Sequence, residues 1–387
     1  MANDLGARDI LEKLVAFPTV SSESNLALVD WVEAYLGEHG VTGRRVYDET
    51  GTKAALYASV GPDVEGGVVL SGHTDVVPVE GQDWTADPYT LTERDGRLYG
   101  RGTSDMKGFV ALMLAAVPLA RSGALKRPLQ LALSYDEEVG CLGAPAMIDD
   151  MLRHLPKAGA AVIGEPTGMR VVTGQKGAYR FDVTVRGHEV HSARLPYGVS
   201  AIMEGARLIS RLNAMNAARA AHPPGPLAEG FDPPVTTFHV GRISGGTANN
   251  ITAARCTFPI EIRLLPGDDL EAFLSEIRAA AEEIAAAMRE RAPETGIDIV
   301  DASRVPPLLP ETDGAAEALG RRLTGDNAYH AVSYGTEGGQ FQDRGYSTVI
   351  CGPGDIARAH KVDEYLGLDE LAAGEDFMRR LVADLAR

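Results

Sequence analysis

The 387 residues carry 54 acidic against 37 basic side chains, a formal net charge of −17, and an otherwise ordinary globular composition. That length implies two domains, and with Lys and Arg gathered in no stripe the charge excludes a nucleic-acid partner. Cys141, Cys256 and Cys351 form no CxxC pair, residues 1–10 have no basic-then-apolar leader, and no segment approaches the ~18 apolar residues of a membrane span, so a cytoplasmic protein without disulfides or a membrane partner is expected.

In chain order, helical spacing of apolar residues predicts helices over 8–16 and 25–39, followed by short strands over 54–60 and 67–71. A glycine-rich loop, 100–108, leads into an apolar helix over 109–120. Strands are expected again at 129–135 and 160–164, with a helix over 144–155 between them. Alternating strands and helices predict an α/β domain with a covered sheet.

From about Gly177 the pattern changes. Tyr179–Val185 alternates apolar and polar with period two, as a half-exposed antiparallel strand does. A helix over 200–215, a Pro-rich loop over 222–234, strands over 236–243 and 256–264, an Ala-rich helix over 270–291 and a strand over 297–300 complete a β-α-β-β-α-β order, the pattern of a ferredoxin-like insert. After Pro306-Pro307 the α/β texture resumes, with a helix over 314–323 and an apolar run over 346–351. The expected organisation is a catalytic domain of 1–176 and 307–387, interrupted by a lid of 177–306.

Sites of open α/β sheets lie beyond the carboxyl ends of their strands, where loops converge on a rigid base. His73 and Asp75 follow the strand at 67–71, Glu137 and Glu138 follow the strand at 129–135, and Glu165 follows the strand at 160–164. Asp105 opens a helix after a glycine-rich loop, and His360 lies nine residues beyond the run ending at Cys351. Imidazole and carboxylate without thiolate suit zinc, cobalt or manganese. Five such ligands describe a two-ion site, with Asp105 bridging, His73 and Glu165 on one ion, and Glu138 and His360 on the other. Asp75 is placed to accept the second imidazole N–H of His73 and fix its tautomer. Glu137 is then spare, and an adjacent carboxylate can move the proton of a water whose pKa the ions lower. The chemistry expected is amide hydrolysis.

Two other motifs do not carry the chemistry their patterns suggest. His188-Glu-Val-His191 has a spacing of three after a strand, whereas the zincin pair needs two histidines four apart on a helix. Gly352-Pro-Gly-Asp-Ile-Ala357 matches a dinucleotide fingerprint in form only, because Pro353 and the missing βαβ unit make it a loop.

Ser71-Gly-His-Thr-Asp-Val-Val-Pro78, Gly100-Arg-Gly-Thr-Ser-Asp-Met-Lys-Gly108, Asp136-Glu-Glu138, Gly164-Glu-Pro-Thr167 and Ala359-His-Lys-Val-Asp-Glu364 together resemble the M20 family of dinuclear zinc amidohydrolases, in matching order over nearly the whole chain. The resemblance implies a zinc-dependent exopeptidase-like α/β domain with a mixed sheet. It also implies a ferredoxin-like lid that dimerises, two zinc ions (cobalt or manganese in their place), and an N-acyl amino acid as substrate. It gives His191 the role of reaching a partner subunit's site to hold the oxyanion, and places Asn249, Arg263, Lys176 and the Gly335-Thr336 turn at the substrate. Tyr334–Phe341, Cys351–Gly354 and His360–Tyr365 look most like the branch acting on acetylornithine, with the desuccinylases of succinyl-diaminopimelate second. A non-catalytic binding protein of this fold is the rival from another class.

Overall fold

In the computed structural model, residues 5–221 and 223–387 are described; the first four residues of the expected catalytic domain and His222 of the Pro-rich loop lie outside them. The chain forms two compact units. One holds the described residues up to Gly174, Leu308–Ala331 and Thr336–Arg387; the other holds Gln175–Pro307 and Val332–Gly335. Relative to the expected division, 175–176, 307 and 332–335 therefore belong with the second unit.

The first unit is built on six strands: β1 (Gly43–Tyr47), β2 (Ala54–Val60), β3 (Val68–His73), β4 (Leu129–Ser134), β5 (Ala160–Ile163) and β6 (Thr348–Ile350). Their order is β1-β2-β4-β3-β5-β6. β1 and β2 run antiparallel to their neighbours, whereas β4-β3-β5-β6 is parallel, so the sheet is mixed. Every residue of β3, β4 and β5 is buried, as strands covered on both faces must be. The register pairs His73 with Ser134, which brings the exits of β3 and β4 side by side.

The helix after the glycine-rich loop, Lys107–Ser122, is buried over most of its length and shares one apolar core with helix Ala7–Val15 and with helix Leu368–Leu385. Each large apolar side chain in that core contributes about 1.5–3 kcal/mol of transfer free energy. A side chain at Gly164 would collide with the Phe109 ring, so this glycine lets the helix beyond Asp105 pack against the exit of β5. A small antiparallel sheet of Thr92–Arg94, Arg97–Tyr99 and Tyr365–Gly367 ties the segment after His360 to the segment before the glycine-rich loop.

Strand β1, half exposed at the sheet edge, and the three-residue strands of the small sheet lacked a sequence signal. Helix Leu368–Leu385, absent from the expected elements, does carry one: Leu371, Phe377, Met378, Leu381, Val382 and Leu385 recur at helical spacing.

The second unit has strands Gly177–Arg186, Thr237–His239, Arg255–Leu264 and Gly296–Val305, with helices Ala201–Ala220 and Leu270–Arg289 between them in β-α-β-β-α-β order. Its sheet is antiparallel, and its spatial order is second, third, first and fourth strand, the ferredoxin-like arrangement. Gly177–Arg186 alternates buried with less buried residues, as its period-two pattern requires. The strand expected over 236–243 is Thr237–His239 and stops where its pairing with Arg255–Leu264 ends, at His239 opposite Glu261. The last strand is longer than expected, Gly296–Val305, and continues past a register shift between Asp301 and Ser303.

Candidate active site

His73 is the last residue of β3, with a side chain only 1% exposed. Its Nδ1 lies 2.9 Å from the backbone carbonyl of Asp75, with the Asp75 carboxylate at 3.6 Å. The main-chain oxygen, rather than the carboxylate expected from sequence, is the hydrogen-bond partner. The reason is that the carboxylate is occupied elsewhere: it accepts the N–H groups of Glu137 (3.1 Å) and Glu138 (3.2 Å) and the Ser21 hydroxyl (2.7 Å). Asp75 thus fixes the imidazole through its backbone and the acidic pair through its side chain.

The acidic pair needs a sharp turn, since adjacent residues on an extended strand point to opposite faces. Asp136 provides it in the left-handed region (φ 56°), with its carboxylate anchored by Lys53 at 2.6 Å. Beyond it, Glu137 receives the Cys141 thiol at Oε1 (3.3 Å), and its carbonyl accepts the N–H groups of Gly140 and Cys141.

Asp105 sits at the head of the buried helix, before a cis Asp105–Met106 peptide. Its Oδ1 is 3.1 Å from His73 Nε2 and its Oδ2 is 3.3 Å from His360 Nε2, so each carboxylate oxygen faces one imidazole. His360 Nε2 is also 2.9 Å from Glu138, and Glu165 is 3.7 Å from His73 Nε2. His73, Asp105 and Glu138 form one group whose ligand atoms lie within 4.8 Å of one another; His73, Glu137 and Glu165 form another.

Burial pushes Glu137 and Glu165 well above the ordinary carboxyl range and Glu138 up to about 7, and repulsion from Asp105 adds to it in all three. Asp105 goes the other way: its burial is outweighed by hydrogen bonds from His360 and His73, which hold it below its usual value. The bonds to Asp105 and Glu138 raise His360 to about 10. His73 is also raised, its burial offset by the bond to Asp105 and the charge of Glu165. Among the described residues, no Lys or Arg forms an ion pair with Asp105, Glu137, Glu138 or Glu165. Four converging acids with two imidazoles form an excess of negative charge that suits divalent cations of the zinc, cobalt and manganese type.

Sequence reasoning gave no role to three neighbours. Glu364 accepts the N–H of Ser104 (2.9 Å) and of Asp105 (3.0 Å), and pairs with Arg101 at 2.7 Å. Glu337, at the head of helix Gly338–Asp343, accepts the Ser71 hydroxyl at 2.9 Å beneath the exit of β3. Glu364, Arg101 and Glu337 all fall inside motifs quoted above, which was the available signal.

The other expected site residues, apart from Thr336, lie in the second unit. His191 is exposed, its Nδ1 accepts the Ala193 N–H, and its backbone pairs with Ile251, which brings it beside the turn carrying Asn249 and Asn250. Arg263 is paired with Glu261 at 2.5 Å. Lys176 is 1% exposed and its ammonium donates to the carbonyls of Pro233 (2.6 Å) and Val235 (2.9 Å). Gly335 is half-buried against Ala178 and Val305. Thr336, in the first unit, is buried and accepts the Gly338 N–H.

A mixed α/β sheet carrying this acid-rich cluster at its strand exits defines a metal-dependent hydrolase. The chain belongs to the peptidase family M20/M25/M40, whose description matches residues 69–384. It is 37% identical to an acetylornithine deacetylase of Myxococcus xanthus, over 97% of this chain and 96% of that protein. It is 33% identical to an acetylornithine deacetylase of Salmonella typhimurium, over 92% of each. In fold it is similar to the M20 family metallo-carboxypeptidase Sso-CP2 of Sulfolobus solfataricus (TM-score 0.79, 17% identity, 98% of this chain and 99% of that one). It also resembles human carnosine dipeptidase 1 (TM-score 0.75, 17% identity, 98% and 96%).

Proposed function

We propose that this enzyme hydrolyses the amide of N2-acetyl-L-ornithine to L-ornithine and acetate, an ornithine-yielding step of arginine biosynthesis, in the cytoplasm. The observation that carries the reading is that Glu137 is half-buried within the ligand cluster, yet makes no hydrogen bond to either histidine, while relatives matched over nearly the full chain are acetylornithine deacetylases.

His73 and Glu165 would hold one ion, Glu138 and His360 the other, and Asp105 both, two zinc ions being the preferred pair. With the ions bound, Lewis-acid polarisation of the scissile carbonyl and a lowered water pKa become available. Glu137 takes the water proton and returns it to the leaving amine; the thiol of Cys141 and the Asp75–N–H bond hold it in place for both transfers. His191, contributed by a partner subunit in a homodimer formed through the second unit, holds the oxyanion. Asn249, Arg263 and the Gly335-Thr336 turn contact the substrate. Lys176 is a weaker member of that set, since two of its three protons are engaged by carbonyls.

Turnover of acetyl-ornithine, succinyl-diaminopimelate and acetyl-citrulline by metal-loaded protein tests the reading. Acetyl-ornithine is expected to give the highest kcat/KM; a preference for the succinyl compound would move the assignment to a desuccinylase. Metal binding without hydrolysis of any amide would favour the binding-protein rival, against which stands the presence of every ligand and of the base.

A further inference from the structure

The two imidazoles of the cluster are supported differently. His73 belongs to a buried strand, whereas His360 stands on a loop, with φ 63° and a side chain 53% exposed. No strand or helix includes residues 359–364. Asp363 anchors that loop by accepting the Thr85 N–H and hydroxyl (both 3.0 Å), the Glu364 carbonyl accepts the Gly100 N–H, and a chain of side chains addresses the stretch around His360 itself. Arg101 and Glu364 are each 1% exposed and joined at 2.7 Å. The same guanidinium reaches the Lys361 carbonyl (3.3 Å) and Gln82 Oε1 (2.7 Å), and the Gln82 amide donates to the His360 carbonyl at 3.0 Å. Trp84 stacks below the guanidinium at 5.0 Å and donates its indole N–H to the same Gln82 oxygen. At the other end, Glu364 receives the N–H groups of Ser104 and Asp105.

A buried ion pair is a weak source of stability, because desolvation offsets the attraction. The bonds made by this one are instead concentrated where a ligand must be aimed. One carboxylate addresses the backbone of Asp105, and one guanidinium addresses residues 360 and 361, directly and through Gln82. We propose that Arg101, Glu364 and Gln82 are positioning residues that set His360 against Asp105, so that the loop histidine meets the bridging carboxylate in a fixed orientation. The proposal rests on the reading of His360 and Asp105 as metal ligands.

Gln82→Ala tests it at a partly exposed loop position, where loss of the fold is not expected, and Glu364→Gln tests the ion pair itself. Each holoenzyme is compared with the parent for the rate at which a chelator removes metal, for the visible spectrum of the cobalt-loaded protein, for kcat and KM, and for Tm. Gln82→Ala is expected to speed the loss of one ion and lower kcat by about 10-fold, as loss of outer hydrogen bonds to metal ligands does. The cobalt spectrum should change, with KM and Tm close to parental. Glu364→Gln should show the same changes in metal loss, kcat and spectrum, larger, together with a lower Tm because Arg101 is left buried without its carboxylate. Parental metal retention and spectrum in Gln82→Ala would overturn the proposal, as would losses in both variants that merely follow a lowered Tm. A parent protein that retains no metal would overturn the two-ion reading, and this proposal with it; a parent with two ions and an indifferent Gln82→Ala overturns this proposal alone.

Discussion

His73 and His360 have equivalent places in the cluster, one on each oxygen of Asp105, yet they reach them by different physics. His73 is delivered by the backbone ladder of the central strand, in register with β4, and is sealed from water. His360 is half open to solvent and depends on side-chain hydrogen bonds from residues far away in sequence. A strand-end ligand is therefore placed by the same interactions that fold the sheet, and its loss should disturb both fold and site. A loop ligand is placed by interactions that add little to folding, and its loss should fall mainly on chemistry.

The largest expected effect separates the base from the ligands on the His73 side. Glu137→Ala should lower kcat by about 10²–10⁴-fold, the range for a general base, with two ions retained. Metal analysis checks it: because Glu137 shares a ligand group with His73 and Glu165, loss of an ion in this variant would make Glu137 a ligand instead.

Next come the histidines themselves. His73→Ala leaves Asp105 and Glu165 buried without their imidazole, and stability should fall by about 3 kcal/mol, the cost of breaking a buried pair, along with metal binding. His360→Ala should lose one ion and most activity with a smaller fall in stability, because its imidazole is half exposed and water can reach the carboxylates it leaves. Equal destabilisation by the two substitutions would erase the contrast between them.

Asp75→Asn gives a smaller effect. An amide can present only one oxygen where the carboxylate now receives the N–H groups of both Glu137 and Glu138. A loss of about 10–100-fold in kcat/KM is expected, with Tm little changed. Parental kinetics in this variant would mean that the turn at Asp136, with its Lys53 anchor, orients the acidic pair unaided.

The same contrast explains what the sequence revealed. His73, Glu137, Glu138 and Glu165 each follow an apolar run, and a run long enough to be a buried strand announces where its exit residue will be. The double occupation of Asp75 was not legible, since backbone and side chain of one residue serve different partners. The Arg101–Glu364 pair joins residues 263 apart, and no local pattern encodes a contact of that range. Gln82 carried no signal at all. The ferredoxin-like order was legible because strand and helix periods differ, but the end of the strand at His239 depends on pairing that the period alone does not report.

Lys176 extends the contrast to the second unit and yields the smallest effect. It is as buried as His73, its ammonium donates to two carbonyls, and burial lowers its pKa to about 8 against the opposing charge of Asp232. Below pH 8 the lysine is charged in both folded and unfolded chains, and the folded state bears the full cost of burying that charge. Between about 8 and the unfolded value near 10.4, the folded chain sheds the proton and the unfolded chain keeps it, so the unfolded state binds more protons and stability rises with pH. The neutral amine still has two N–H groups for the two carbonyls, so deprotonation removes a cost without breaking the contacts. Urea unfolding of the parent between pH 7 and 10.5 should therefore show a rising contribution that Lys176→Met lacks, with metal content unchanged in both. An identical pH slope in the two proteins would show that the buried ammonium is already fully compensated by Pro233 and Val235, as the acids of the first unit are not by their own surroundings.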